Sequence, residues 1–343
     1  MGPKGPDCRV RHNIEAERQQ TLAEANDLAA MQVTVVGDVA STYIDLRGRQ
    51  ELLRVARENV ENQKQTVHLV EAAYSAGRGT RFDTARTRAL LETTTSRIPE
   101  LLSAIALDEH RLAVLCGLAP DALTSELETV RPLPDLPKRI DPGTPADLVR
   151  RRPDVSASEE RLHAATEQIG IATADLFPRV NFAGLLGLNE FHGDTPFDGV
   201  SAVNLAALNI DWSFLDTGRV RARIAARRAD GDAQLAQYQQ SVILALEDVE
   251  NALVRYARSQ DRDAQLQLAA KDSKRAADLA SIRFSNGASG LLDLLDAQMA
   301  QLKDEDAYAE SHSNSALSAV LLYKSLAGGW PQRPPQPRKG VNP

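Results

Sequence analysis

The sequence predicts a mainly α-helical fold in which a pair of long antiparallel helices is internally duplicated and one β-hairpin is inserted. Three observations carry this. Arg219 to Phe284 contains no proline and one glycine, Gly231, so it reads as a single helix of roughly 100 Å at 1.5 Å per residue. Its apolar positions recur every seven: Leu235, Val242, Val249, Tyr256, then polar Asp263, then Ala270, Ala277 and Phe284. A repeat sustained that far needs neighbouring helices to bury it. The third observation is a second copy at an offset of 210 residues (9 to 219). Arg9-Val10-Arg11 falls on Arg219-Val220-Arg221, Asp38-Val39 on Asp248-Val249, Tyr74-Ser75-x-Gly77 on Phe284-Ser285-x-Gly287, and Asp83 on Asp293. Ala25, Gln32, Val39, Leu46, Leu53, Val60, Val67 and Tyr74 keep the same heptad phase without a gap, which favours duplication over chance identities.

Taken in order, residues 1–8 read as an irregular start and 9–117 as the first helical repeat. Its long helix, Arg9 to Tyr74, breaks at Ala76-Gly77-Arg78-Gly79, and a second helix returns from Phe82 to Cys116 as an antiparallel hairpin. Residues 118–153 carry prolines at 120, 132, 134, 137, 142 and 145 ahead of Pro153, which predict an extended connector free of helix. Residues 154–177 resume helix, begun by Pro153-Asp154 and a capping box at Ser156-x-x-Glu159, and stopped by Pro178. Over 178–213 the period changes to two. Val180, Phe182, Leu186 and Leu188 share one face against Asn181 and Ala183, and Leu208, Ile210 and Trp212 alternate with Asn209 and Asp211, predicting two strands of about ten residues joined by a loop from Asn189 to Asn204. Strands of that length with a terminal tryptophan suit a transmembrane β-barrel, in which those seven residues face lipid. A hairpin packed on a helix accounts for the pattern equally well. Residues 214–327 form the second repeat, broken at Ser285–Gly290 before a last helix from Leu291. Residues 328–343, with five prolines after Trp330, are expected to be disordered.

Composition narrows the function. Aromatics make up 4% of the chain, too few for a thick globular core, so small residues must bring helices close together. With 40 Lys+Arg against 47 Asp+Glu the net charge is −7, and no basic stripe interleaved with aromatics points to nucleic acid. Cys8 and Cys116 make no disulfide framework. The six histidines show no metal-ligand spacing. No nucleophile and base, phosphate loop or metal cluster emerges, so no enzyme, cofactor or metal is expected. The opening MGPKGPD has no apolar signal-peptide core.

Motifs then add a resemblance. Arg150-Arg151-Arg152-Pro153-Asp154-Val155, Ile169-Gly170-Ile171-Ala172 and Phe177-Pro178 resemble the TolC and OprM-like outer-membrane channels of tripartite efflux systems, nearest the NodT-type lipoproteins. Trp212-Ser213-Phe214-Leu215-Asp216-Thr217-Gly218-Arg219 resembles that family's strand-to-helix turn. Gly287-x5-Asp293-Leu294-Leu295-Asp296-Ala297 resembles its periplasmic tip, and Leu322 to Trp330 its C-terminal signature. The resemblance implies a homotrimer with a helical tunnel (α-barrel) in the periplasm and a β-barrel in outer-membrane lipid. Its partners would be a periplasmic adaptor, or membrane fusion, protein and an inner-membrane RND-type pump.

By the same resemblance Asp293 and Asp296 line the periplasmic mouth, with Asp83 and Arg86 at the equivalent positions of the first repeat. Arg86 or Arg81 is expected to pair with a tip aspartate and hold the mouth closed. Asp83 and Asp293 as plain helix caps are an equal alternative. Gly77 and Gly287 set the turns, and Arg78, Arg81 and Ser289 are candidates to meet the adaptor. The first-repeat counterpart of the hairpin would fall before residue 2, so three copies bring six strands where a bacterial barrel needs about eight. This predicts a longer native protein. A helical scaffold, or a channel of the same fold for type I protein secretion, stays open as an alternative.

Overall fold

The computed structural model describes residues 7–137, 140–141, 143–190, 200–212 and 216–327. Helix α1 (Asp7–Ser75) and helix α2 (Arg81–Leu115) form the first repeat. The connector contributes α3 (Thr124–Leu127) and α4 (Pro145–Arg151), followed by α5 (Pro153–Ala174). Strands β1 (Arg179–Glu190) and β2 (Val200–Asp211) come next, then α6 (Thr217–Ser285) and α7 (Leu291–Ser325). The long helices have 69 residues each and the short ones 35. Adding 210 to the boundaries of α1 and α2 (7, 75, 81, 115) gives those of α6 and α7 (217, 285, 291, 325). The duplication therefore holds to the residue.

Three expectations change. The connector is not free of helix: Pro145 opens α4, where Thr144 Oγ1 accepts the Asp147 N–H at 3.2 Å, because proline at a first helical position loses nothing. Ser156 and Glu159 make no capping box. With Pro153 taking the first turn, the cap moves back to Arg152, which makes no side-chain cap bond, and Ser156 lies inside α5. The hairpin is longer than expected. Pairing runs from Arg179↔Asp211 to Glu190↔Val200, so Asn189, Ser201 and Asn204 belong to the ladder. The start at residues 1–6, the hairpin tip at 191–199, Ser213-Phe214-Leu215 and the tail from 328 lie outside the described residues.

Two compact units divide the described chain, one holding residues up to Ala30 with Val149–Ala245, the other Met31–Leu148 with the residues from Leu246 on. In the second unit the first repeat buries Leu46, Leu53, Ile105 and Leu112 together with Leu127 of α3. The second repeat buries Val249, Ala252, Tyr256, Ala319 and Leu322, against which Leu136 and Ile140 of the connector pack. Each repeat thus takes one half of the connector onto its own core. The heptad seam is buried at Leu46, Leu53, Val60 and Val67 and at Val249, Tyr256, Ala270 and Ala277, but Tyr74 at 40% and Leu235 at 42% are exposed. In the first unit α5 packs on α6 through Ala172, Val220 and Ile224. Asp175, 6% exposed, accepts from Arg9 at 2.8 Å and Arg223 at 3.0 Å. Among the described residues no helix is long and apolar enough to cross a membrane.

Candidate functional site

The two inter-helix turns are built alike. After α1, the Gly77 N–H bonds the Tyr74 carbonyl at 2.9 Å and the Arg78 N–H bonds Ala73 at 2.8 Å. After α6, Gly287 bonds Phe284 at 2.9 Å and Ala288 bonds Arg283 at 2.8 Å. This is the Schellman termination, which needs a left-handed residue, and Gly77 (φ 73°) and Gly287 (φ 72°) supply it. The helices that leave the turns start differently. Thr80 caps α2 in a reciprocal box: its hydroxyl accepts the Asp83 N–H at 3.1 Å, and Asp83 Oδ2 accepts the Thr80 N–H at 3.0 Å. Gly290 caps α7 with no side-chain bond. Asp83 therefore does serve the helix start, whereas Asp293, the equivalent residue, is exposed and makes no such cap.

Arg86 of α2 stands over α7, its Nη2 4.0 Å from Asp296 Oδ1. These are the repeat-equivalent residues that the sequence sets against each other. Arg81 does not reach an aspartate; its Nε donates to the Tyr74 hydroxyl at 3.2 Å. The Arg86–Asp296 pair is open to solvent, 40% and 63% exposed, which limits it to about 0.5 kcal/mol. Farther from the turns, Arg97 of α2 pairs with the better shielded Asp306 of α7, and Arg88 holds Glu71 at 2.5 Å. The sequence does not single out Arg97–Asp306, since no helical spacing links residues on two different helices. It also passes over Phe82 and Leu292, 70% and 53% exposed, which are repeat equivalents in the first turns of α2 and α7. An apolar side chain recurring at the offset beside each turn is the signal for them. Arg78 is exposed, and the Ser289 hydroxyl is buried without a partner.

Next to the turns Val70, Leu294 and Leu295 are buried, and a polar belt follows along the helices. Asn59, Gln63, Thr66, Thr87, Thr94 and Gln301 are all buried. Asn59 donates to Glu305 at 3.1 Å and Gln298 to the Thr66 hydroxyl at 2.8 Å, while Gln63 Oε1 and Gln298 Oε1 have no partner. Lys274 of α6, 2.8 Å from Glu58 of α1, holds that carboxyl below its usual range by hydrogen bonding against the opposing effect of burial. Nearer the connector, burial raises the Asp108 carboxyl although Arg49 pairs with it.

In the hairpin, Phe182 sits opposite Leu208 and Val180 opposite Ile210. Phe182, Leu208, Ile210 and Trp212 are 76%, 64%, 65% and 52% exposed. At the same end the register sets Asn181 against Asn209 and Arg179 against Asp211, while farther along that face Ala183 lies opposite Ala207 and Leu185 opposite Leu205, so polar positions alternate with apolar ones only near the helices. Leu186 and Leu188 register against Asn204 and Ala202; the side chains of Val180, Leu186 and Leu188 lie outside the described set. Trp212 Nε1 donates to the Leu176 carbonyl at 3.3 Å.

Two long-helix hairpins on a duplicated frame, with an amphipathic β-hairpin whose apolar face is open, define the subunit of a channel with a helical tunnel and a membrane-embedded β-barrel. The chain belongs to the outer membrane efflux protein family, which matches residues 8–118 and 144–328. It is 29% identical over 330 residues to outer membrane protein OprJ of Pseudomonas aeruginosa, covering 94% of this chain and 67% of that protein. It is 26% identical to nodulation protein T of Rhizobium leguminosarum bv. trifolii, covering 93% and 68%. The solved outer-membrane channel OprN superposes with a TM-score of 0.89 at 38% identity, over 95% of this chain and 73% of that one. The chain thus spans 67% of the length of OprJ and 68% of nodulation protein T. It is an outer-membrane channel component of an efflux system, with its helical part in the periplasm. The family and these relatives are channel and efflux proteins rather than enzymes.

Proposed function

We propose that three copies of the subunit line a passive conduit, which receives small molecules at the helical tips from an adaptor protein and an RND-type pump and performs no chemistry of its own. The strands deliver the load to the exterior, with Val180, Phe182, Leu186, Leu188, Leu208, Ile210 and Trp212 toward lipid. The observation that carries the reading is the Arg86–Asp296 contact, which ties α2 of one repeat to α7 of the other beside the turns. In this reading Asp83, Arg86, Asp293 and Asp296 ring the periplasmic aperture. Gly77, Arg78, Arg81, Gly287 and Ser289, with exposed Phe82 and Leu292, meet the adaptor.

Magnitudes support a mouth that opens readily. Three exposed pairs at about 0.5 kcal/mol each give roughly 1.5 kcal/mol, a tenfold shift in population, which a docking adaptor easily exceeds. The polar belt, with two buried carbonyl oxygens left unbonded, offers less apolar resistance to helices sliding than the Val70, Leu294 and Leu295 packing nearer the turns. Single-channel conductance in planar bilayers tests this. Arg86→Ala and Asp296→Ala are expected to raise open probability about tenfold, and the charge-reversed pair Arg86→Asp with Asp296→Arg to restore the parent value. Variants that conduct like the parent would end the gating role.

A further inference from the structure

The start of α6 carries more positive charge than its fold explains. Thr217–Arg228 contains Arg219, Arg221, Arg223, Arg227 and Arg228 and no acidic residue, in a chain of net charge −7. Cations in the first turns of a helix oppose its macrodipole, so helix stability does not account for them. Three have intramolecular work: Arg219 pairs with Asp216 at 2.6 Å, Arg223 with Asp175 at 3.0 Å and Arg227 with Asp230 at 3.2 Å. Arg221 and Arg228 are exposed and have no hydrogen bond or ion pair among the described residues. The same holds for Arg11 on α1, the repeat equivalent of Arg221. Both repeats therefore leave one arginine free at the same height.

That height is fixed by what surrounds it. Asp175 gathers Arg9 and Arg223. The next residue, Leu176, accepts from the Trp212 indole at 3.3 Å, and Phe177 beside it is 45% exposed. Tryptophan and phenylalanine at the end of an apolar strand face mark the level of the lipid head groups. Val220, the neighbour of Arg221, packs on Ala172, and His12, the neighbour of Arg11, lies against Gly170. Arg11 stands two residues from Arg9 and Arg221 two from Arg223, the arginines that hold Asp175, about 3 Å of helix rise in each case, which an extended arginine spans while its stem lies along apolar surface.

We propose that Arg11 and Arg221 form a binding site for the head group of an anionic phospholipid in the periplasm-facing leaflet of the outer membrane. Each guanidinium is suited to a bidentate grip on a phosphodiester, and the strand-end aromatics hold the acyl chains alongside. Arg228 lies one heptad farther along α6, about 10 Å beyond Arg221, and is out of reach of the head groups. The inference rests on the reading of the hairpin as bilayer-embedded.

Trp212 and Trp330 are the two tryptophans, so Trp330→Phe in the full chain leaves Trp212 as sole reporter at the site. The protein is reconstituted in vesicles of equal phosphatidylglycerol and phosphatidylcholine, with bromine on the acyl chains of one lipid or the other. Quenching should report roughly fivefold enrichment of the anionic lipid beside Trp212. The enrichment should disappear in Arg11→Gln/Arg221→Gln and persist in Arg11→Lys/Arg221→Lys and in Arg228→Gln. Equal quenching by both lipids in the parent overturns the site while keeping the hairpin in the membrane. Quenching by neither overturns the membrane reading too. Loss of preference in the lysine variant, or retention in the glutamine variant, assigns the effect elsewhere and also sinks the proposal.

Discussion

Gln50 of α1 and Gln260 of α6 occupy equivalent positions in the two repeats, and both donate to a connector carbonyl, Leu127 at 3.0 Å and Pro137 at 3.2 Å. Around that shared contact the repeats diverge. In the first, Arg47, 3% exposed, donates to Gln50 at 2.7 Å, Thr129 O at 2.7 Å and Leu127 O at 3.3 Å, and lies 4.9 Å over the Tyr43 ring. In the second, the Tyr256 hydroxyl donates to Pro137 O. One repeat anchors the connector with a buried charge, the other with a neutral phenol. Duplication has preserved the lengths and turns of the backbone, while the side chains that hold it have been free to change. The asymmetry beside the turns, arginine at 86 against aspartate at 296, is another instance of that freedom.

The largest expected effect breaks this pair of anchors. Arg47→Met removes charge-assisted hydrogen bonds to the buried Leu127 carbonyl and the more exposed Thr129 carbonyl, which costs about 2 kcal/mol. Tyr256→Phe removes one neutral hydrogen bond and costs about 1 kcal/mol, with Gln260 still bonded to Pro137 O. Urea unfolding compares the two variants at unchanged m-value. Equal losses would mean that the buried charge adds nothing over the phenol.

How much of this was legible in the sequence follows from which interactions are local. Gly77 and Gly287 end the long helices because a left-handed residue is required there, and the period-two run around Phe182 and Leu208 betrays the hairpin, so these features are written in short windows. The anchors are not. Arg47 reads as one more charge on a helix, and only the fold brings the Leu127 and Thr129 carbonyls to it. Arg97 and Asp306 meet for the same reason. The connector misleads in a different way: among so many prolines Pro145 reads as a breaker, yet proline at a helix start is a starter. Ser156 and Glu159 have the spacing of a capping box, but Pro153 had already begun the helix. Of the tip residues, the duplication alone sets Arg86 against Asp296, while the Tyr74 hydroxyl that Arg81 meets is a partner no spacing singles out.

A smaller contrast lies at the far ends of α2 and α7. Gly117 (φ 74°) closes α2, with Leu118 N–H on Ala113 O at 2.8 Å. The equivalent residue of the second repeat is Ala327, held at φ 46°. A Cβ on Gly117 would meet nothing within 4 Å, so the cost of Gly117→Ala is the left-handed backbone alone, about 1 kcal/mol. Ala327→Gly should return a similar amount. Thermal midpoints moving in opposite directions for the two variants would establish that one repeat carries strain the other avoids; movement in the same direction would refute it.

The smallest effect concerns the tips and bears most directly on function. Thr80 and Asp83 satisfy each other at the start of α2, whereas Gly290 leaves the first amides of α7 without a side-chain acceptor. A Cβ at Gly290 meets nothing within 4 Å and its extended backbone (φ −76°, ψ 163°) matches that of a threonine cap, so Gly290→Thr can rebuild the box with Asp293. The gain is a few tenths of a kcal/mol, since glycine is already a fair cap, while Thr80→Ala loses about 1 kcal/mol. Amide exchange reads both directly. In the parent the Asp83 N–H should exchange more slowly than the Asp293 N–H, and Gly290→Thr should close that gap. Because the new box draws Asp293 onto its own helix, it also separates its two assignments. If open probability in planar bilayers stays at the parent value while exchange slows, Asp293 matters to the helix and not to the aperture. If the open probability shifts as well, the carboxylate serves the aperture, and the unsatisfied start of α7 keeps it available there.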